Sequence, residues 1–120
     1  MYEVSVEGHF DAAHFLRGYG GKCEALHGHR FRTVVAIRAE KTNKIGIVYD
    51  FVELRLKLHS VLSQLDHTLI NDLPAFQEEN PSSENLARFI YRELAEKLEG
   101  VELAYVDVWE SPESRARFIP

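Results

Sequence analysis

Hydrophobic and polar positions change their period twice along the chain, and the changes divide it into elements. Tyr2, Val4 and Val6 alternate with Glu3, Ser5 and Glu7, the two-residue period of a half-buried strand running on toward Phe10. Phe31, Thr33, Val35, Ile37 and Ala39 alternate with Arg30, Arg32 and Arg38 in the same way, which predicts a second strand beginning around His27-Gly28-His29. The polar segment Lys41-Thr42-Asn43-Lys44 then reads as a turn, and Ile45 to Tyr49 as a short returning strand. At Asp50 the period lengthens. Phe51, Leu54, Leu58, Val61, Leu62 and Leu65 recur at helical spacing, predicting a helix that ends near Asp66. Asp50 is a suitable N-cap, and Glu53 three residues later completes an acidic variant of the capping box.

After a loop with Asn71, Pro74 and Pro81, Ser82 or Ser83 caps a second helix, with Glu84 in its first turn. Leu86, Phe89, Ile90, Leu94 and Leu98 form its apolar stripe, and Gly100 is placed to end it. Val101, Leu103 and Tyr105 alternate as a strand through Trp109, followed by a short strand over Arg115 to Ile119. Strands at both ends with helices between them predict an α+β fold, with the helices on one face of an antiparallel sheet. The open edges of such a sheet need cover, and other subunits can supply it.

Composition narrows the class. A chain of 120 residues, 45% hydrophobic and 28% charged, is expected to form one domain over 1–120. A formal net charge of −5 argues against a nucleic-acid partner. Arg30, Arg32 and Arg38 are read either as the solvent face of a strand or as contacts for an anionic small molecule. The single cysteine excludes an intramolecular disulfide and fits a reducing compartment. No secretory pattern opens the chain and no apolar run approaches membrane-spanning length, so a cytoplasmic protein with no membrane partner is expected.

The chemistry centres on histidine. His27 and His29 stand two apart, and on a strand such residues share a face, so both imidazoles can converge on one ion. Gly28 between them removes a side chain. His14, at the end of the first strand, supplies a third imidazole if the two strands are neighbours. Three neutral imidazoles with a fourth position open describe a catalytic Zn²⁺ site. Cys23, four residues before His27, is open to three readings: a fourth ligand that closes the site, a base or nucleophile activated beside the metal, or an inert buried thiol. Asp66-His67 is a carboxylate–imidazole pair suited to proton transfer, or else a helix C-terminal cap. Glu110, at the end of an apolar strand, is placed to accept two parallel hydrogen bonds from the amidine-like edge of a heterocycle, or simply to face solvent. His9 and His59 are read as structural or surface residues.

Six segments occur in an order that resembles the 6-pyruvoyl- and 6-carboxytetrahydropterin synthase superfamily. They are Phe10-Asp11-Ala12-Ala13-His14, Cys23-Glu24-Ala25-Leu26-His27-Gly28-His29, Tyr49-Asp50-Phe51, Leu65-Asp66-His67, Asn80-Pro81-Ser82-Ser83-Glu84-Asn85 and Trp109-Glu110-Ser111. The resemblance implies a tunnelling fold, in which four-stranded antiparallel sheets with two helices on one face close as trimers into a β-barrel. Two trimers then stack as a homohexamer with active sites at subunit interfaces. It implies Zn²⁺ on His14, His27 and His29, and proton transfer by Cys23, Asp66 and His67, the last two serving the zinc of a neighbouring chain. It further implies that Glu110 anchors the pterin and that Ser82 and Ser83 help seat it.

The implied substrate is 7,8-dihydroneopterin triphosphate. The short chain and the wording around Cys23 resemble the bacterial carboxy-type enzymes, whose product is 6-carboxy-5,6,7,8-tetrahydropterin for queuosine, with release of acetaldehyde and triphosphate. Glu24 stands where a folate-pathway subgroup carries a catalytic glutamate in place of the cysteine. Because this chain has both, formation of 6-hydroxymethyl-7,8-dihydropterin is an alternative, as is 6-pyruvoyltetrahydropterin synthase activity. A non-catalytic zinc-stabilised module is the alternative from another class.

Overall fold

In the computed structural model, which describes residues Met1–Pro120, strands β1 (Tyr2–His14), β2 (His27–Ala39), β3 (Leu103–Ser111) and β4 (Ser114–Phe118) form one antiparallel sheet in that order. Helices α1 (Phe51–Leu62) and α2 (Ser83–Ala95) lie between β2 and β3 in sequence. The α+β fold with four antiparallel strands and two helices is as predicted.

Alternation decides which face is covered. On β1 the even residues Val6, Phe10, Ala12 and His14 are buried; on β2 the odd residues Phe31, Thr33, Val35 and Ile37 are. Both sets face the helices and share one core with Leu54, Leu58, Leu86, Ile90 and Leu94. α1 crosses β1 at Gly8, where an added Cβ would lie 2.9 Å from Leu62 Cδ1, so the missing side chain sets the approach. α2 covers β3 and β4. The outer face is charged: Arg30, Arg32 and Arg38 of β2 pair with Asp11, Glu7 and Glu3 of β1. These arginines lie on the solvent face, as the first reading had it.

β1 ends at His14, as predicted. Several other predicted boundaries move. Ile45 to Tyr49 is not a strand. The Asn43 side chain accepts from the backbone N–H of Ile45 and Ile47, and Gly46 (φ 85°) takes a left-handed turn, so this alternation is held in a loop. Asp50 caps α1 as predicted, accepting from Val52 and Glu53 N–H. Glu53, however, turns to Lys57 (2.9 Å) instead of closing the box, and Phe51 is 51% exposed. α1 stops at Leu62, and Leu65 is buried from the following turn. Ser82 is the cap of α2, accepting from Asn85 N–H. That helix ends at Ala95, so Gly100 belongs to the turn into β3.

The connection from β1 to β2 is pinned by two amides. Asn71 accepts from Phe15 N–H and donates to Phe15 C=O, both at 3.0 Å. Asn80 does the same for Arg17, both at 2.9 Å. Each side chain replaces a missing strand partner. Asn71→Ala leaves both Phe15 groups unpaired beside the core, so urea denaturation is expected to show a loss of about 2 kcal/mol.

Candidate active site

The strand register builds the candidate metal centre. His14 of β1 stands directly across from His27 of β2, and Ala12 across from His29, so the three histidines share the inner face at one end of the sheet. One ring nitrogen of each lies within 4.8 Å of the others. The rings meet edge to face, with centroids 4.6 to 5.3 Å apart. Beneath them Phe31, stacked on Phe10 at 4.8 Å, contacts His14 and His29 and forms an apolar floor.

Backbone carbonyls fix the tautomers. His14 Nδ1–H donates to Pro81 C=O at 2.7 Å and His27 Nδ1–H to Ala25 C=O at 2.7 Å, which leaves both Nε2 lone pairs free. His14 is 1% exposed, and its buried Nε2 has no hydrogen-bond partner. A buried acceptor without a partner is costly, and a cation held by three imidazoles resolves it. Burial pushes the His14 ring below the ordinary histidine range, opposed by Pro81 and reinforced by His27 and His29. Burial likewise lowers His29, against the pull of Glu110. Both therefore favour the neutral form a metal needs. The donor set fits Zn²⁺.

Beside this centre lies a cleft of about 410 Å³ lined by His14, Cys23, Ser82, Ser83, Glu110 and the start of β4. Cys23 sits on a short 3-10 turn, Lys22–Glu24, half-buried and outside the three-nitrogen cluster. Glu110 continues the inward row of Val106 and Val108 on β3. Glu24 is exposed and does not line the cleft.

Asp66 and His67 lie elsewhere, in a turn along the free edge of β1. Asp66 Oδ1 accepts from Asp11 N–H at 2.8 Å, His67 N–H donates to Asp11 C=O at 2.6 Å, and Ala13 N–H donates to Thr68 C=O at 3.0 Å. The turn brings the two side chains together: Asp66 Oδ2 is 2.9 Å from His67 Nδ1. The Asp11 N–H, then His67, hold the Asp66 carboxyl below its usual range. His67 is the one non-glycine residue at positive φ (57°), and its side chain is 79% exposed. The pair does not line the cleft of its own chain.

The sequence reading did not single out Asn71, Asn80 or the Pro81 carbonyl for the site, nor Arg115 and Arg117 in the cleft wall. The alternation of Arg115 and Arg117 with Ala116 and Phe118 was a usable signal; a carbonyl contact leaves none. Because burial lowers His14 and His29, metal-free protein binds fewer protons at these rings than its unfolded chain does at and below pH about 6.5. Its melting temperature is expected to fall as pH drops through 6.5 toward the lowered folded values, and His14→Phe to flatten that dependence.

Comparison with known proteins agrees with this geometry. The family model described as 6-pyruvoyl tetrahydropterin synthase matches residues 3–119. The 6-carboxy-5,6,7,8-tetrahydropterin synthase of Synechocystis is 36% identical over 124 aligned residues, covering 98% of this chain and 93% of that one. The dihydroneopterin monophosphate aldolase of Pyrococcus furiosus is 35% identical, covering 87% and 85%. The solved structure of Caenorhabditis elegans 6-pyruvoyl tetrahydropterin synthase superposes with a TM-score of 0.87 at 28% identity, covering 100% and 97%. The chain belongs to the 6-pyruvoyl tetrahydropterin synthase family and is a lyase-type enzyme of pterin metabolism.

Proposed function

We propose that the chain is a zinc-dependent 6-carboxytetrahydropterin synthase. It converts 7,8-dihydroneopterin triphosphate to 6-carboxy-5,6,7,8-tetrahydropterin, with release of acetaldehyde and triphosphate, for queuosine biosynthesis. The observation that carries this reading is the three-imidazole cluster opening on a cleft that also holds a thiol and a carboxylate. The Synechocystis relative bears the same activity in its name.

His14, His27 and His29 hold the zinc, which when bound supplies Lewis-acid polarisation of the substrate's side-chain hydroxyls. The Glu110 carboxylate accepts two hydrogen bonds from the pterin's amidine edge and sets the ring's orientation. Ser82 and Ser83 border the ring. Cys23, in the same cleft as His14 and Glu110, removes the side-chain proton. His67, oriented through Nδ1 by Asp66, exchanges the proton on the opposite side through its exposed Nε2.

The dyad's position supports a shared site. The ends of β1 and β3 and the starts of β2 and β4 lie at the same end of the sheet. A second copy whose β1 edge runs along β4 therefore brings its Asp66 and His67 to this cleft. Closing both sheet edges in this way gives a trimeric barrel, stacked in pairs as a hexamer.

The folate-type reading, through Glu24, is favoured by the name of the Pyrococcus relative but not by the exposed position of Glu24. Incubation of zinc-loaded protein with 7,8-dihydroneopterin triphosphate, followed by mass spectrometry, is expected to give 6-carboxytetrahydropterin and acetaldehyde, unchanged in Glu24→Ala. A dominant 6-hydroxymethyl product lost in Glu24→Ala would replace this reading with the folate one. Cys23→Ala is expected to lower turnover by about 100-fold or more with zinc content retained. Loss of zinc with the thiol would make Cys23 a ligand.

A further inference from the structure

Glu110 is the extra residue of a β-bulge. β3 pairs with β4 as Val108 with Ala116 and Trp109 with Arg115, and then as Ser111 with Ser114, so two steps on β3 meet one on β4. The pairing of β2 with β3 reaches only to Arg32 opposite Trp109. Glu110 therefore has no ladder partner on either side. The neighbouring side-chain contacts leave its carboxylate out: Ser111 Oγ accepts from Glu113 N–H at 3.3 Å, and Arg115 Nη1 lies 3.5 Å from Asp107. Yet that carboxylate is close enough to His14 and His29 to favour their charged forms. Its aim is set by the backbone at the bulge.

Trp109, the residue before the bulge, meets a guanidinium from each neighbouring strand on the outer face of the sheet, opposite the histidines. Arg32 of β2 lies 5.3 Å and Arg115 of β4 5.7 Å from the indole, both within cation–π range. The buried indole Nε1 has no hydrogen-bond partner, so the ring is held by packing and not by a polar contact. Arg32 is braced by Glu7, to which its Nε donates. Arg115 is not needed to satisfy the buried Asp107, whose oxygens accept from Arg117 Nε and Nη2 at 2.7 and 3.0 Å. A bulge bends its strand where the ladder is broken, and a side chain fixed one residue away limits that bend.

We propose that Arg32 and Arg115 are positioning residues for Glu110, clamping Trp109 on the outer face so that the bulge presents the carboxylate to the cleft in one orientation. The device is pre-organisation: a ligand that donates to both carboxylate oxygens binds more tightly when their direction is fixed beforehand. The consequence for ligand binding rests on the reading of Glu110 as the anchor of the pterin's amidine edge, whereas the clamp itself does not.

Two measurements on zinc-loaded full-length protein test it. In the first, without ligand, three-bond NMR couplings read the χ1 rotamer of Glu110. One dominant rotamer is expected in the parent and in Arg38→Gln, an outer-face control that does not touch Trp109, and averaging among rotamers in Arg32→Gln/Arg115→Gln. Both arginine side chains are well exposed, at 46% and 40%, so the double variant keeps its fold. A single rotamer retained in it overturns the proposal. In the second, calorimetry measures 7,8-dihydroneopterin binding in a Cys23→Ala background, so that ligand is not consumed. The double variant is expected to bind about 5- to 10-fold more weakly, with recovery in Arg32→Lys/Arg115→Lys, which keeps both cations beside the ring. Glu110→Gln is expected to lose about 10- to 100-fold, and the arginine changes to cost nothing further in that background, because they act through the carboxylate. Additive losses contradict the proposal. If Glu110→Gln binds the pterin like its parent while the rotamer still averages in the double variant, the anchor reading fails and the clamp stands.

Discussion

The antiparallel pairing of β1 with β2 fixes the positions of the three histidines of the candidate centre. The pairing runs without a break from Tyr2 opposite Ala39 to His14 opposite His27. Because side chains alternate between faces, a slip of one residue would turn His14 outward and leave His27 and His29 without their third partner. The slip is opposed by what lies along the same face. Val6, Phe10, Phe31 and Val35 are all buried in the helix-covered core, and Phe10 stacks on Phe31 just beneath the histidines. Core packing and ligand geometry are thus set by a single register.

Elements outside the sheet then orient what the sheet positions. Asn71 and Asn80 hold the chain leaving β1, and Pro81, one residue before the cap of α2, turns the His14 ring through its carbonyl. The start of α2 is in this way tied to the histidine cluster as well as to the cleft. On the free edge of β1, three residues before His14, both backbone groups of Asp11 clamp Asp66 and His67. One strand therefore carries a member of the histidine cluster on its inner face and, on its free edge, the backbone groups that hold the Asp66–His67 pair facing away from that cluster. A pair so placed makes chemical sense when the β1 edge meets another copy.

The part of this arrangement that was readable in the sequence is the part governed by periodicity. Alternation gave the phases of β1 and β2, and with them the shared face of His27 and His29; the cap Asp50, and a cap of α2 at Ser82 or Ser83, followed from local hydrogen-bonding chemistry. What escaped depends on contacts with no period. Ile45, Ile47 and Tyr49 alternate like a strand, but Asn43 and Gly46 bind that segment into a loop. Phe51 sits at helical spacing at the very start of α1, beyond the reach of the core. The positive φ of His67 and the carbonyl partners of His14 and His27 leave no mark on residue type.

X-ray absorption at the zinc edge of the metal-loaded protein tests the central claim most directly, because it reads the ligand set. The account predicts three imidazole nitrogens and a light oxygen donor at about 2.0 Å, with no sulfur shell, leaving the Cys23 thiol free beside an open coordination position. A sulfur scatterer at about 2.3 Å would make Cys23 a ligand, close the site, and contradict a catalytic centre built on His14, His27 and His29 alone.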